Sequence, residues 1–307
     1  MSQISKTILY FGNERLATGL GTHAPALLGL IAAGYNIAAI VIAQNDQAAS
    51  RKSRPLEVAD IAAKHGIPVI SPARLDKAID ELKSYGADAA VLAAYGKIVP
   101  AAVLDIFPSG IINIHPSLLP LHRGSTPIES AILQADVETG VSLMKLVPQM
   151  DAGPVYAQDT VLLNGTETKQ SLSDQLNELG AKLLLTHLPA ILDGTLKPKP
   201  QDESHATTDG QLSKSDAVLN WNLPAAHLER QIRAYAGWPR SRATIGTSEV
   251  IVTAAHELAG NGVAGTPWLA DGQLGTHTTE GILIIDRLIP PGKKEMSGSD
   301  YLRGYHP

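Results

Sequence analysis

The 307-residue chain contains no cysteine, which excludes disulfides and thiolate metal centres. Aromatic residues are scarce at 4%, so a core must be assembled from Ala, Leu, Ile and Val. Basic charge is not in excess: 25 Lys and Arg stand against 30 Asp and Glu, a net of -5. That balance excludes a generically basic nucleic-acid binder and leaves only local clusters for any RNA contact. No run approaches the ~18 uninterrupted apolar residues of a membrane helix. The first ten residues show neither a signal core nor an Arg-rich presequence. The expectation is a cytoplasmic protein, working as a monomer and meeting no membrane. Common chemical fingerprints are missing as well. Gly12, Gly19 and Gly21 do not have dinucleotide-loop spacing, and there is no Gly-Lys-Ser/Thr phosphate loop. No G-x-S-x-G elbow appears, and the ten histidines include no H-E-x-x-H. A hydrolase triad and a zinc site are set aside, and no metal is expected.

What is present reads as a globular protein with a substantial core: 44% hydrophobic and 18% charged residues. Apolar β-rich runs at 6–11, 37–43, 87–94, 110–114, 141–146 and 155–163 alternate with helical stretches at 25–33, 55–65 and 169–192. Alternating βα units predict an α/β, doubly wound, mostly parallel sheet, which binds ligands at the carboxyl ends of its strands. The stretch 197–203, Lys-Pro-Lys-Pro-Gln-Asp-Glu, is polar and proline-punctuated, as a linker is. Beyond it lie a helical stretch at 224–235 and short β-runs at 241–245, 249–258 and 281–288, the pattern of a small β-barrel. The division expected is a catalytic domain at 1–195, a linker at 196–207 and a barrel domain at 208–307.

Candidate chemistry gathers at strand ends. In Gly110-Ile-Ile-Asn113-Ile-His115, period-two geometry sets both polar side chains on one face. Burying an amide and an imidazole together is costly unless they have partners or a task. A proline-bounded loop follows, Pro116-Ser117-Leu118-Leu119-Pro120-Leu121-His122-Arg123-Gly124. A later loop carries a carboxylate, Met150-Asp151-Ala152-Gly153-Pro154, and Ala94-Tyr95-Gly96-Lys97 closes the preceding strand. Three loops after three strands are thus in a position to converge on one cleft.

These residues have a family resemblance. Asn113-Ile-His115 with Ser117-Leu-Leu-Pro120, Arg123-Gly124, Pro127-Ile128 and Met150-Asp151-Ala-Gly-Pro resembles the signature of the folate-dependent formyltransferases. Ala94-Tyr95-Gly96-Lys97-Ile98-Val99-Pro100 looks like that family's donor-site loop. Leu212-Ser-Lys-Ser-Asp216, Asn220-Trp221, Leu228 to Tyr235, Trp238-Pro239 and Pro291 to Ser297 are similar to the second domain of the branch that acts on methionyl-tRNA. The resemblance implies a Rossmann-like catalytic domain followed by an OB-like barrel. It implies 10-formyltetrahydrofolate as donor cosubstrate and initiator methionyl-tRNA as acceptor. By matched position, Asn113, His115 and Asp151 are catalytic, while Tyr95, Gly96, Ser117, Leu118, Leu119 and Pro120 line the folate site. Arg51, Lys52, Arg54, Arg230, Arg233 and Lys293 are the basic residues expected to meet tRNA. The chain departs from the family at Phe11 to Arg15, in the loop 44–54, and at His122, where tryptophan is frequent.

The physical logic runs beside the resemblance. An amine attacking a formyl carbon passes through an oxyanion. Asn113 and a protonated His115 would each donate a hydrogen bond to it, worth on the order of 3 kcal/mol per aligned donor. Asp151 would relay the proton lost by the amine. The Asn-His-Asp set does not by itself separate acceptors. An amino sugar nucleotide, a glycinamide ribotide, or water in a 10-formyltetrahydrofolate hydrolase would use the same groups. A non-catalytic RNA-binding barrel is the alternative outside enzymes.

Overall fold

The computed structural model describes residues 6–12, 23–43 and 57–305. The chain opens with β1 (Thr7–Gly12), α1 (Pro25–Ala32), β2 (Asn36–Val41), α2 (Glu57–His65), β3 (Val69–Ile70) and α3 (Ile79–Ser84). It continues through β4 (Ala89–Ala93), α4 (Ala101–Leu104), β5 (Ile111–His115), β6 (Arg123–Gly124), α5 (Pro127–Leu133), β7 (Glu138–Lys145), β8 (Val155–Leu162) and α6 (Lys169–Leu192). A seven-stranded sheet results, in the order β3-β2-β1-β4-β5-β7-β8. The pairs from β3 to β5 are parallel, and β7 and β8 join antiparallel at one side. Strand order reverses beside β1, between β2 and β4, the position at which doubly wound sheets open a crevice at their carboxyl ends.

Period-two alternation assigns each strand residue to a face. Ile8, Tyr10, Val91, Ile112 and Ile114 enter one apolar cluster, capped by α1, α5 and the long α6. Leu9, Phe11, Ala90, Leu92 and Ile111 enter a second, with Leu75, Leu82, Val103 and Phe107. With few aromatics available, Phe11 serves as the hub of the second cluster, edge-on to both Tyr95 and Phe107. α6 starts where the Thr168 side chain accepts from the Ser171 N–H and Ser171 caps back, a reciprocal box that satisfies orphan donors.

The remaining elements are β9 (Thr208–Asp209), α7 (Ala225–Ala234), β10 (Arg242–Ile245), β11 (Ser248–Leu258), β12 (Pro267–Ala270), β13 (Gln273–His277), β14 (Ile282–Ile289), β15 (Met296–Ser297) and α8 (Gly298–Tyr305). The strands β10 to β15 form a curled antiparallel, barrel-like sheet. Its inner residues Val250, Val252, Leu283, Ile285 and Leu288 pack on Leu228 and Ile232 of α7 and Tyr301 of α8.

The connecting segment is anchored to the first sheet. Lys199 exchanges two backbone hydrogen bonds with Val155, both 2.8 Å, and β9 pairs in parallel with β6. The two halves also share a buried charge. Lys169, fully buried at the start of α6, donates to Glu129 of α5 at 2.8 Å and to the Trp238 carbonyl at 3.0 Å. Removing one partner of such a pair leaves an uncompensated buried charge, which costs about 3–5 kcal/mol. Lys169→Met is therefore expected to lower the chemical-denaturation midpoint sharply, and adding Glu129→Leu to recover part of the loss. A Lys169→Met midpoint equal to the parent's would contradict the assignment.

Candidate active site

β5 carries the chemistry because its two polar residues share a face. Ile112 and Ile114 point into the cluster under α6 and Ile111 into the opposite one, so Asn113 and His115 lie on the Ile111 side. Both are buried, at 6% and 5% exposure. Asn113 stands beside Leu92 of β4 and Met144 of β7, and His115 beside Ser142 of β7. Among the described residues the Asn113 amide has no hydrogen-bond partner, which leaves it open to a ligand. The His115 ring is held at one nitrogen and faces a carboxylate at the other. Nε2 lies 2.9 Å from the His122 carbonyl, and Nδ1 lies 3.7 Å from Asp151 Oδ1. The first contact places a proton on Nε2. The second is a charge contact slightly too long for a hydrogen bond. Nε2 is thereby committed to a protein carbonyl, while Nδ1 has the Asp151 carboxylate beside it without a hydrogen bond.

Asp151 occupies the left-handed region, φ 47°, a conformation that costs a non-glycine residue about 1–3 kcal/mol. Its surroundings hold it there. Oδ2 accepts from the Gly124 N–H at 2.9 Å, and its own carbonyl accepts from Gln201 Nε2 at 2.7 Å. The motif needs glycine two residues on, because a Cβ at Gly153 would run into the Lys145 carbonyl at the end of β7. Gly124 is required for a similar reason: φ is 113° and a Cβ would meet the Asp209 carbonyl of β9.

The loop after β5 takes its shape from side chains that sequence inspection missed. Ser142 Oγ donates to the Ser117 carbonyl at 2.6 Å and accepts from the Leu119 N–H at 3.0 Å. Gln158 of β8 donates to Ser142 Oγ and to the Leu119 carbonyl, at 2.8 and 2.9 Å. Ser117 itself is fully buried and donates to the Leu121 carbonyl at 2.7 Å. It shapes the loop and offers no hydroxyl to solvent. A polar residue inside each of two apolar runs was the available signal. Leu118 and Pro120 stay half-exposed, while Leu119 is buried. On the neighbouring loop Gly96 is exposed, whereas Tyr95 packs against Phe11 at 5.5 Å. Burial raises the Tyr95 phenol pKa.

The basic residues separate into three cases. Arg51, Lys52 and Arg54 lie outside the described residues, as does the 13–15 stretch. Arg233 is fully engaged: Nε and Nη2 with Glu229 at 2.6 and 2.9 Å, and Nη1 with the Glu167 carbonyl. Arg230 uses only Nε, on the Leu133 carbonyl, and its terminal nitrogens have no partner among the described residues. Both arginines line a groove of about 660 Å³ between the two halves, shared with Asp136, Glu167, Glu229 and Glu257. Lys293 is exposed on the loop before β15. Among the described residues no cluster of His, Asp or Glu has the arrangement to hold a metal ion.

His122 supports the site from behind. It is 5% exposed, with Nε2 2.8 Å from Asp136 and Nδ1 2.9 Å from Asp209. Both nitrogens face carboxylates, so the doubly protonated ring fits. Burial alone would lower its pKa, but hydrogen bonds and Coulomb attraction to Asp209 and Asp136 outweigh that and raise it. A raised folded-state pKa gives stability that is fully present below the unfolded value of about 6.5 and is lost as pH rises through the folded value. The stability difference between the parent and His122→Phe is thus expected to be largest below that pH and to shrink on the alkaline side. Denaturation midpoints across a pH series check this, and a difference growing with pH would contradict it.

With this geometry in place, comparison with known proteins is informative. Residues 24–188 match the formyl transferase family model and residues 211–306 its C-terminal domain. The methionyl-tRNA formyltransferase of Chloroflexus aggregans is 39% identical over 92% of this chain and 93% of its own length. That of Methylobacillus flagellatus is 37% identical, over 97% and 96%. An N-formyltransferase from Helicobacter canadensis, solved with folinic acid and dTDP-3-aminofucose, superposes with a TM-score of 0.69 at 18% identity, over 95% of this chain and all of its own. HypX from Aquifex aeolicus, solved with tetrahydrofolic acid, superposes at 0.66 with 17% identity; the chain covers 46% of it, so these two share a fold over about half of HypX. Matched across both domains and over nearly its whole length, the chain belongs to the formyl transferase family.

Proposed function

We propose that this protein transfers the formyl group of 10-formyltetrahydrofolate to the amino group of initiator methionyl-tRNA, giving N-formylmethionyl-tRNA for translation initiation. The observation that carries the reading is that Asn113 and His115 share one face of β5 and the β7–β8 loop brings Asp151 to 3.7 Å from His115, with the Asn113 amide unpaired among the described residues. The relatives that share both domains, at 37–39% identity, carry the name of this activity.

In the proposed reaction the amine nitrogen attacks the formyl carbon. A new N–C bond forms, and the carbonyl oxygen takes up negative charge. The Asn113 N–H donates to that oxygen. Asp151 Oδ1 accepts the proton released by the amine, with His115 Nδ1 beside it to share the proton. Collapse breaks the bond from the formyl carbon to N10, and the proton passes to N10, leaving tetrahydrofolate. No metal enters these steps. The donor sits along the loops holding Tyr95, Gly96, Ser117, Leu118, Leu119 and Pro120. Tyr95 and Ser117 build the wall from within, and Gly96, Leu118 and Pro120 offer the accessible surface.

The acceptor is a polyanion, so local positive charge is required despite the net of -5. Arg230 and Lys293 fit best, since each has donors to offer a phosphate, and Arg51, Lys52 and Arg54 complete the basic set. Arg233 contributes by holding α7 against the catalytic domain. The working unit in this reading is a monomer. Translation initiation places that work in the cytoplasm.

The direct test incubates the protein with 10-formyltetrahydrofolate and charged initiator tRNA and looks for formylmethionine, with a dTDP-amino sugar as parallel acceptor. Formylation of the sugar alone would overturn the assignment. Asn113→Ala is expected to lower kcat about 10²–10³-fold, as for loss of an oxyanion donor, with donor affinity largely kept. Asp151→Asn is expected to leave folding intact and to collapse turnover. Arg230→Ala is expected to weaken tRNA binding and to reduce its salt slope by about one. A salt titration of tRNA affinity checks that expectation, and an unchanged slope removes Arg230 from the interface.

A further inference from the structure

The segment between the two domains does more than join them. At Gln201 it reaches behind the catalytic carboxylate. Gln201 Nε2 donates to the carbonyls of Asp151 and Gly153, both at 2.7 Å. Its Oε1 accepts from Arg123 Nε and Nη2, at 3.1 and 2.8 Å. These partners fix the amide's orientation, because two carbonyls require the nitrogen and a guanidinium requires the oxygen. All of the side chain's strong hydrogen-bonding positions are therefore used. Arg123 is fastened in turn by Glu203 of the same segment, at 2.8 and 2.9 Å.

We propose that Gln201 is a positioning residue for formyl transfer: it grips both sides of the Asp151 turn and so sets the carboxylate against His115. Three facts converge on this. Asp151 sits at φ 47°, a conformation that does not persist without outside support. Two of the three carbonyls from Asp151 to Gly153 are held by one amide group. Among the described residues the carboxylate itself accepts one hydrogen bond, from the Gly124 N–H on Oδ2, and Oδ1 meets His115 only at 3.7 Å, so its placement leans on the backbone. That backbone is what Gln201 holds. Its side-chain hydrogen bonds go to Asp151, Gly153 and Arg123, so it acts through the Asp151 turn and not on the reacting atoms. The inference rests on the proposed formyl transfer, but it also concerns a geometry that exists without turnover.

The test uses the full-length protein and two variants, Gln201→Met, which keeps the stem and loses the hydrogen bonds, and Gln201→Glu, which sets an oxygen against the two carbonyls. Asp202→Asn, an exposed change on the same segment, is the control. Both Gln201 variants are expected to stay folded and to lower kcat by tenfold to about 10²-fold, with KM for donor and tRNA little changed. The pH profile of kcat is expected to move, whereas Asp202→Asn should track the parent. Crystal structures of both variants provide a readout that needs no substrate, and in each the separation of His115 Nδ1 from Asp151 Oδ1 is expected to depart from the parent's 3.7 Å. An Asp151 turn and a His115–Asp151 separation unchanged in both variants overturn the proposal whichever acceptor the enzyme uses. So does a loss of kcat that follows only the fraction of folded protein. A parent inactive toward methionyl-tRNA, with the Asp151 carboxylate displaced from His115 in the variants, would instead sink the acceptor assignment and leave the positioning role standing.

Discussion

Everything at this site depends on two polar side chains being buried at the end of a strand whose other residues are isoleucine. An amide and an imidazole withdrawn from water cost free energy unless they find partners. His115 finds them in the His122 carbonyl and Asp151. Asn113 finds none among the described residues, and its empty hydrogen-bonding capacity is the clearest chemical feature of the cleft. The scaffold tolerates that gap because the flanking contacts are strong. Ser142 and Gln158 set the loop above, His122 is braced by two carboxylates, and the Asp151 turn is pinned by Gly124 and Gln201.

A second theme is the dependence of the catalytic domain on the chain that leaves it. Thr207, Asp209, Gln201 and Glu203 all contact the loop 116–124 or the Asp151 turn. The connecting stretch thus behaves as part of the active-site wall. The same half of the molecule then docks on the first through Lys169, Glu129, Arg230 and Arg233, a seam built mostly from satisfied charges. The positive charge of Lys169 and Arg233 is used in that seam, whereas Arg230 commits only its Nε and keeps its terminal nitrogens without a partner among the described residues. This explains how a chain rich enough in arginine near α7 can still present a modest basic surface.

Much of this was legible in the residues. The alternation of apolar runs indicated the doubly wound sheet, and period two put Asn113 and His115 on one face, where the structure has them. The Asp151-Ala-Gly turn was marked by its glycine, which contacts with Lys145 require. Other features were hidden because they depend on tertiary neighbours. Nothing local distinguishes Gln201 in a polar, proline-rich stretch from any solvated linker residue. The pairing of Arg233 with Glu229 and the Glu167 carbonyl likewise depends on how α7 docks. The orientation of the His115 ring, toward protein at both nitrogens, was beyond the reach of strand geometry, which specifies the face but not the partners.

The proposed chemistry has Asn113 holding the formyl oxygen while Asp151 takes the proton of the amine that attacks the same formyl carbon. A crystal structure with 5-formyltetrahydrofolate bound tests it most directly. The account requires the pterin along the loops at 94–97 and 116–120, with the formyl oxygen within about 3 Å of Asn113 Nδ2 and the Asp151 carboxylate facing the formyl carbon. A donor bound with its formyl group remote from the end of β5, or Asn113 turned onto a protein partner in the complex, would contradict it.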